Sequence, residues 1–146
     1  MTRNDFMPAE TDIGALNEWM RNTASDALGI RITDASADYL KAEMPVDDRH
    51  VQARGVLHGG VSCVLSETIG SVLSNIAAAK DGKQSVGVEI NANHMKAVRK
   101  GETIVGECRF LHRGRTLHVL QIEIKNAQGG LACVSRLTMA VLESPS

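Results

Sequence analysis

The sequence predicts an α+β domain in which one long helix is wrapped by an antiparallel sheet of about six strands. Three observations carry this. Residues 55–79 form one long stretch that holds a single carboxylate, Glu67, and a single histidine, His58. Apolar residues recur there at Val61, Val64, Leu65, Ile69, Val72, Leu73 and Ile76, with Thr68 between them; this is the i, i+3, i+4, i+7 spacing of an amphipathic helix. Beyond residue 83 the chain changes to period-2 alternation in long runs separated by short glycine turns. A chain of 146 residues with 43% hydrophobic side chains is large enough for one core and short for two.

In chain order, residues 1–10 read as a loose tail. Residues 11–21 read as a short helix capped by Thr11 or Asp12, with Ile13, Leu16 and Met20 on its inner face. The division expected is an N-terminal tail and short helix over residues 1–26 and the main domain over residues 27–146. Residues 28–33 and 39–46 are predicted strands joined by a turn at 34–37. A loop over residues 50–56 leads to the helix, and Asp81-Gly82 stops it. Residues 85–95, 103–112, 116–125 and 131–142 are predicted strands, connected as an antiparallel meander.

The long helix also carries the candidate chemistry. Glu67 points about 150° away from the centre of the apolar stripe, taking 100° per residue. Its expected neighbours are Gly60, Cys63, Gly70, Ser71 and Ser74. A solvated helix face normally carries several charged residues, so this small, uncharged face is expected to be covered, in part by a second subunit. A lone carboxylate on a covered face is costly unless it is bonded or functional; the plain alternative is a surface glutamate. At the helix start, Leu57-His58-Gly59-Gly60 offers bare N–H groups at the positive end of the helix dipole, a place suited to a developing oxyanion. His58 there either ties to backbone or polarises a substrate.

Composition excludes several classes. A formal net charge of −1 gives no general polyanion-binding character, and four aromatic residues are few for stacking single-stranded nucleic acid. The three cysteines, Cys63, Cys108 and Cys133, have neither zinc-site nor disulfide-framework spacing, and free thiols fit a reducing, cytoplasmic setting. The first residues lack the apolar core of a signal peptide, and no apolar run is expected to reach membrane-spanning length. No G-x-S-x-G turn is present for a serine triad. No metal and no cofactor are expected. The basic residues His94, Lys96, Arg99 and Lys100 at one strand end, with Arg113 and Arg115 at another turn, are candidates for holding phosphate groups; ordinary solvated turn charge is the alternative.

Five stretches carry a family resemblance: Met44-Pro45-Val46-Asp47, Gly55-Val56-Leu57-His58-Gly59-Gly60, Leu65-Ser66-Glu67-Thr68-Ile69-Gly70-Ser71, Gly87-Val88-Glu89-Ile90-Asn91-Ala92-Asn93-His94 and Ser135-Arg136-Leu137-Thr138. In this order and spacing they resemble the hotdog-fold acyl-CoA thioesterases, and most nearly the glutamate-type branch acting on aryl-CoA thioesters such as 4-hydroxybenzoyl-CoA and 1,4-dihydroxy-2-naphthoyl-CoA. The resemblance implies that Glu67 is the catalytic carboxylate, that the Gly59 N–H binds the thioester oxygen, that His58 and Gln52 flank the thioester carbonyl, and that Ser71 lines the site. It implies a homodimer or homotetramer with each site at a dimer interface, coenzyme A entering only as part of the substrate, and no nucleic-acid or membrane partner. Glu67 would serve as general base or as nucleophile. The competing readings are a non-catalytic acyl-CoA binding protein and a hotdog dehydratase or hydratase.

Overall fold

The structure, a computed structural model, describes residues 11–144; the tail expected over residues 1–10 lies outside the described residues. The elements are α1 (Ile13–Trp19), α2 (Ala24–Ala27), β1 (Arg31–Ala35), β2 (Tyr39–Pro45), α3 (Gly59–Ala79), β3 (Lys83–His94), β4 (Thr103–Arg113), β5 (Leu117–Lys125) and β6 (Leu131–Glu143). Asp12 caps α1 by accepting from the Ala15 N–H at 2.9 Å, the arrangement that satisfies one of a helix's orphan donors. The short helix α2, capped by Thr23, is absent from the sequence reading.

The six strands form one antiparallel sheet in the order β1-β2-β4-β5-β6-β3. A simple meander therefore holds only for β4, β5 and β6. The chain leaves β2, runs along α3 and returns at the far edge as β3, which pairs with β6. Period 2 sets the inward face of each central strand: Leu40, Ala42 and Met44 on β2, Ile104 and Cys108 on β4, and Leu120, Ile122 and Ile124 on β5 are buried. Leu65, Ile69, Leu73 and Ile76 of α3 fill the concave side and are fully buried, each worth roughly 2 kcal/mol in apolar transfer. Leu16 of α1 and Met20, its C-cap, join the same core.

The buried arc of α3 is turned by roughly 80° from the apolar stripe. Ser66, Gly70 and Ser74 face the sheet, whereas Val61, Val64 and Thr68 are only half-buried. The expectation that Gly70 and Ser74 belong to a face left for a second subunit is thus corrected. The reason is close approach. A Cβ at Gly70 would lie 2.5 Å from Leu137 Cδ2, and one at Gly106 of β4 would lie 2.9 Å from Ile69 Cδ1, so small residues let helix and sheet meet. The two serines are satisfied there: Ser66 Oγ lies 2.7 Å from Ser135 Oγ, and Ser74 Oγ lies 2.8 Å from His118 Nδ1.

With 21 residues and a mean hydropathy of 1.3, α3 is long and apolar enough by length and composition to cross a membrane, contrary to the expectation that no run reaches that length. Its burial against this chain's own sheet accounts for that apolarity.

Candidate active site

The start of α3 leaves one backbone donor unclaimed. The His58 N–H donates to the His50 carbonyl at 2.8 Å, and the Val61 and Ser62 N–H groups donate to the His58 carbonyl. The Gly60 N–H donates to His58 Nδ1 at 2.9 Å. The Gly59 N–H has no acceptor among the described residues. It lies in the first turn of a 21-residue helix, where the macrodipole adds positive potential. His58 is the N-cap and is tied to backbone through Nδ1, which leaves its other ring nitrogen uncommitted. Because Nδ1 accepts, a neutral ring carries its proton on Nε2, and that donor belongs to an exposed side chain.

Gly59 shares a cleft of about 360 Å³ with Gln52, Ser62, His94 and Lys96. The His94 ring lies directly over Gly59; a Cβ there would be 2.8 Å from His94 Nε2. Gln52 is held in its loop by a bond from its N–H to the Val56 carbonyl at 2.9 Å and by the Arg54 N–H on its side-chain oxygen. Lys96 reaches over Gly130 and Asn126. Arg99, exposed, receives Glu102 on its own N–H at 2.8 Å, and Lys100 pairs with Asp48.

Glu67 lies two turns further along α3 and is exposed. Its Oε1 is 3.2 Å from where a Cβ of Gly87 would sit on β3, so glycine at that position leaves room for the carboxylate. The Glu67 carboxylate has no hydrogen-bond or ion-pair partner among the described residues. Cys63, one turn earlier, has its thiol pKa pushed up by burial and by the Glu67 charge, which keeps it a thiol. Ser71, one turn later, is half-buried with Oγ 3.8 Å from Met139 Sδ.

A second cavity, of about 240 Å³, opens beside this turn and is lined by Trp19, Met20, Thr23 and Ser25 from the N-terminal segment and by Thr68, Ser71, Val72 and Asn75 from α3. The sequence reading assigned no site role to the N-terminal residues here. Their only sequence signal was the amphipathic pattern of α1, which does not say what its outer side meets.

The basic residues divide between two ends of the sheet. His94 pairs in register with Cys133 at one end of β6, and β4 begins at that end, with Val105 opposite Lys125. Arg113 lies opposite His118 at the other end, bonded to Asp38 at 3.3 Å, and Arg115 is exposed in the following turn. A single chain does not bring Arg113 and Arg115 to the rim that carries His94, Lys96 and Arg99.

Comparison with known proteins matches this geometry to a family. The family model described as the thioesterase superfamily matches residues 54–133. A 1,4-dihydroxy-2-naphthoyl-CoA hydrolase from Escherichia coli is 46% identical over 129 residues, covering 88% of this chain and 93% of that protein. A proofreading thioesterase from Cronobacter turicensis is 43% identical over 128 residues, covering 88% of this chain and 92% of that protein. Among solved structures, a thioesterase from Haemophilus influenzae superposes with a TM-score of 0.87 at 42% identity, covering 92% of each chain. Likeness of this extent and identity places the chain in the thioesterase superfamily, as a thioester hydrolase built on the hotdog fold.

Proposed function

We propose that the protein hydrolyses acyl-CoA thioesters, aryl-CoA thioesters in particular, to the free acid and coenzyme A. The observation that carries this reading is the unclaimed Gly59 N–H at the start of α3, with a carboxylate on the same helix that no group among the described residues neutralises. A thioester needs little more than a polarised carbonyl and a carboxylate. The Gly59 N–H, with Nε2–H of His58 and the Gln52 amide beside it, receives the charge that develops on the carbonyl oxygen; one such donor is worth about 100–1,000-fold. Glu67 acts on the carbonyl carbon in one of two ways. As a base it takes a proton from water, the hydroxide adds, and the coenzyme A thiolate leaves. As a nucleophile it forms a mixed anhydride with loss of that thiolate, and water then cleaves the anhydride. The Ser71 hydroxyl lies on the same helix face one turn on.

The cavity beside Glu67 supports an aromatic acyl group. Its volume, about 240 Å³, is below the roughly 300–1,000 Å³ of sites for drug-sized ligands, which suits one or two rings better than a long alkyl chain. Its wall combines Trp19 and Val72 with the hydroxyls of Thr23, Ser25 and Thr68, groups that can meet ring hydroxyls. The Escherichia coli relative is named for a dihydroxyaryl thioester. His94 and Lys96, in the cleft with Gly59, are placed to meet the phosphate-bearing part of coenzyme A.

The working unit in this reading is at least a dimer. Eight residues separate Gly59 from Glu67, about 12 Å along a helix at 1.5 Å per residue. One carbonyl cannot meet both, since each must come within about 3.5 Å. A two-fold partner lying against the Glu67 face of α3 brings Gly59 of one copy to Glu67 of the other. The edge strand β3 favours this arrangement: among the described residues no strand covers its outer side, and Val86 and Val88 are 43% and 62% exposed.

The test is thiol release from a panel of aryl- and alkyl-CoA thioesters by wild type and Glu67→Gln. Glutamine keeps the size and removes the charge. The expected result is a loss of kcat of about 1,000-fold or more with KM little changed. A folded Glu67→Gln protein with near wild-type turnover would end this mechanism. Single turnover in ¹⁸O-water adds a positive test: label found in Glu67 identifies a nucleophile whose anhydride water cleaves at the Glu67 carbon.

A further inference from the structure

The loop between β2 and α3 buries a histidine that the reaction described above does not use. His50 is fully buried. Its Nε2 lies 2.7 Å from the Leu28 carbonyl oxygen at the end of α2. A carbonyl oxygen only accepts, so Nε2 carries a proton. The other nitrogen, Nδ1, lies 3.0 Å from the Asp47 amide nitrogen and 2.9 Å from Asp47 Oδ1. A neutral ring accepts from the amide there and an imidazolium donates to the carboxylate; the bond to Leu28 stands in both. The backbone of His50 faces the other way, and its carbonyl accepts from the N–H of His58, the cap of α3.

A parallel tie runs through Arg49. Its guanidinium donates to the Ala27 carbonyl and is held by Asp47 at 3.0 and 2.7 Å, which keeps the Asp47 carboxyl well below the usual carboxylate range. The last two carbonyls of this end of α2, which the short helix cannot satisfy itself, are thus both taken by the loop that carries Gln52. The other end of α2 touches α3 beside the catalytic carboxylate, with Ser25 Oγ 3.0 Å from Thr68 Oγ1.

We propose that His50 is a positioning residue for thioester hydrolysis, fixing Gln52 and the unclaimed Gly59 N–H by tying the loop that carries them to α2. The inference rests on the assignment of Gln52 and Gly59 to the thioester carbonyl. The path is short: Leu28 carbonyl to the His50 ring, His50 carbonyl to the His58 N–H, His58 ring to the Gly60 N–H. Removing the ring's donor leaves the carbonyl of half-buried Leu28 without its partner at one end of this path, and the loop must move for water to replace it. A displacement of 1 Å at a reacting centre costs about 100-fold. A histidine that only stabilised the core would lower the melting temperature and leave kcat per folded molecule alone.

The experiment compares wild type, His50→Phe, His50→Gln, Gln52→Ala and the double variant His50→Phe/Gln52→Ala. Phenylalanine fills the space without either ring bond, and glutamine restores one donor and one acceptor. Measurements are kcat and KM per folded protein with the best acyl-CoA, and the ¹⁵N–¹H positions of the Gly59 and Gly60 amides. The expected result for His50→Phe is a kcat lower by about 10–100-fold, a KM within about twofold, shifted Gly59 and Gly60 amides, and recovery of most of the rate in His50→Gln. The double variant should be less impaired than the product of the two single effects, because both act on one loop. A folded His50→Phe with wild-type kcat and unmoved glycine amides overturns the proposal, as do fully multiplicative effects. Should His50→Phe not fold, His50→Asn, too short to reach Leu28 while bonded at Asp47, is judged by the same criteria. If Gln52→Ala leaves kcat unchanged, the assignment of the site fails instead, and the glycine amides alone decide whether His50 sets the loop.

Discussion

At the start of α3 one side chain does two separable things. His58 accepts the Gly60 N–H through Nδ1, and the proton a neutral ring then carries on Nε2 is the one the proposed mechanism directs at the thioester carbonyl. Asparagine is as good a helix cap as any residue but lacks a donor at the Nε2 position. His58→Asn should therefore keep the melting temperature within a degree or two of wild type and lower kcat by about 10–100-fold, the loss of a carbonyl-directed donor. His58→Ala should lose the rate and, in addition, about 1 kcal/mol of stability. Thermal melts and steady-state kinetics on the two variants settle it; equal losses of stability with no difference in rate would leave His58 as a cap alone. The sequence displayed both possibilities at once and could not separate them, because cap geometry depends on which ring nitrogen faces the backbone. Glu67 was legible for a simpler reason. It is the one charge on a 21-residue helix, and scarcity of charge is visible without coordinates.

At the scale of elements, β2 to β6 were read nearly to their ends, β1 was read three residues early, at 28–33 against Arg31–Ala35, and the strand order was not read. Alternation locates β3 to β6, but it does not say that β3 crosses to the far edge beside β6. The helix α2 has four residues, too few for any periodic signal. The inward face of α3 was misread by about a quarter turn because serine and glycine count as polar in a periodicity, yet they are the residues that let the helix approach β6 closely. Ser74 shows the consequence. It bonds the buried His118, whose ring also packs edge-on to Phe110 at 5.2 Å. His118 pKa is lowered by burial and by the neighbouring Arg113 and His112 charges, against a bond to the Gly114 backbone that raises it. The unfolded chain then takes up a proton near pH 6.5 that the folded chain resists. Stability is at its full value above that pH and declines as pH falls toward the lowered folded pKa. Urea unfolding at pH 7.5 and pH 5 should show a larger loss for wild type than for His118→Gln, which keeps a hydrogen-bonding side chain without the titration. Equal losses would mean that His118 does not carry the acid sensitivity.

At the scale of the whole molecule, the site residues of one chain do not converge on one point. Gly59 and Gln52 belong to the helix start, with His94 and Lys96 beside them. Glu67, Ser71 and the small cavity lie two turns away, and Arg113 and Arg115 sit at the opposite end of the sheet. The proposed two-fold pairing through the Glu67 face and the β3 edge would join the first group of one copy to the second group of the other. Subunit mixing tests this directly. Gln52→Ala and Glu67→Gln chains are each expected to be nearly inactive as pure preparations. After joint unfolding and refolding in equal amounts, half of the dimers are hybrid. If each site takes Gln52 from one chain and Glu67 from the other, every hybrid holds one doubly damaged site and one intact site. Activity should then recover to about a quarter of wild type. If Gln52 and Glu67 of the same chain shared a site, every site in the mixture would carry one lesion and no activity would return. Refolded wild type, taken through the same cycle, sets the scale for the recovery.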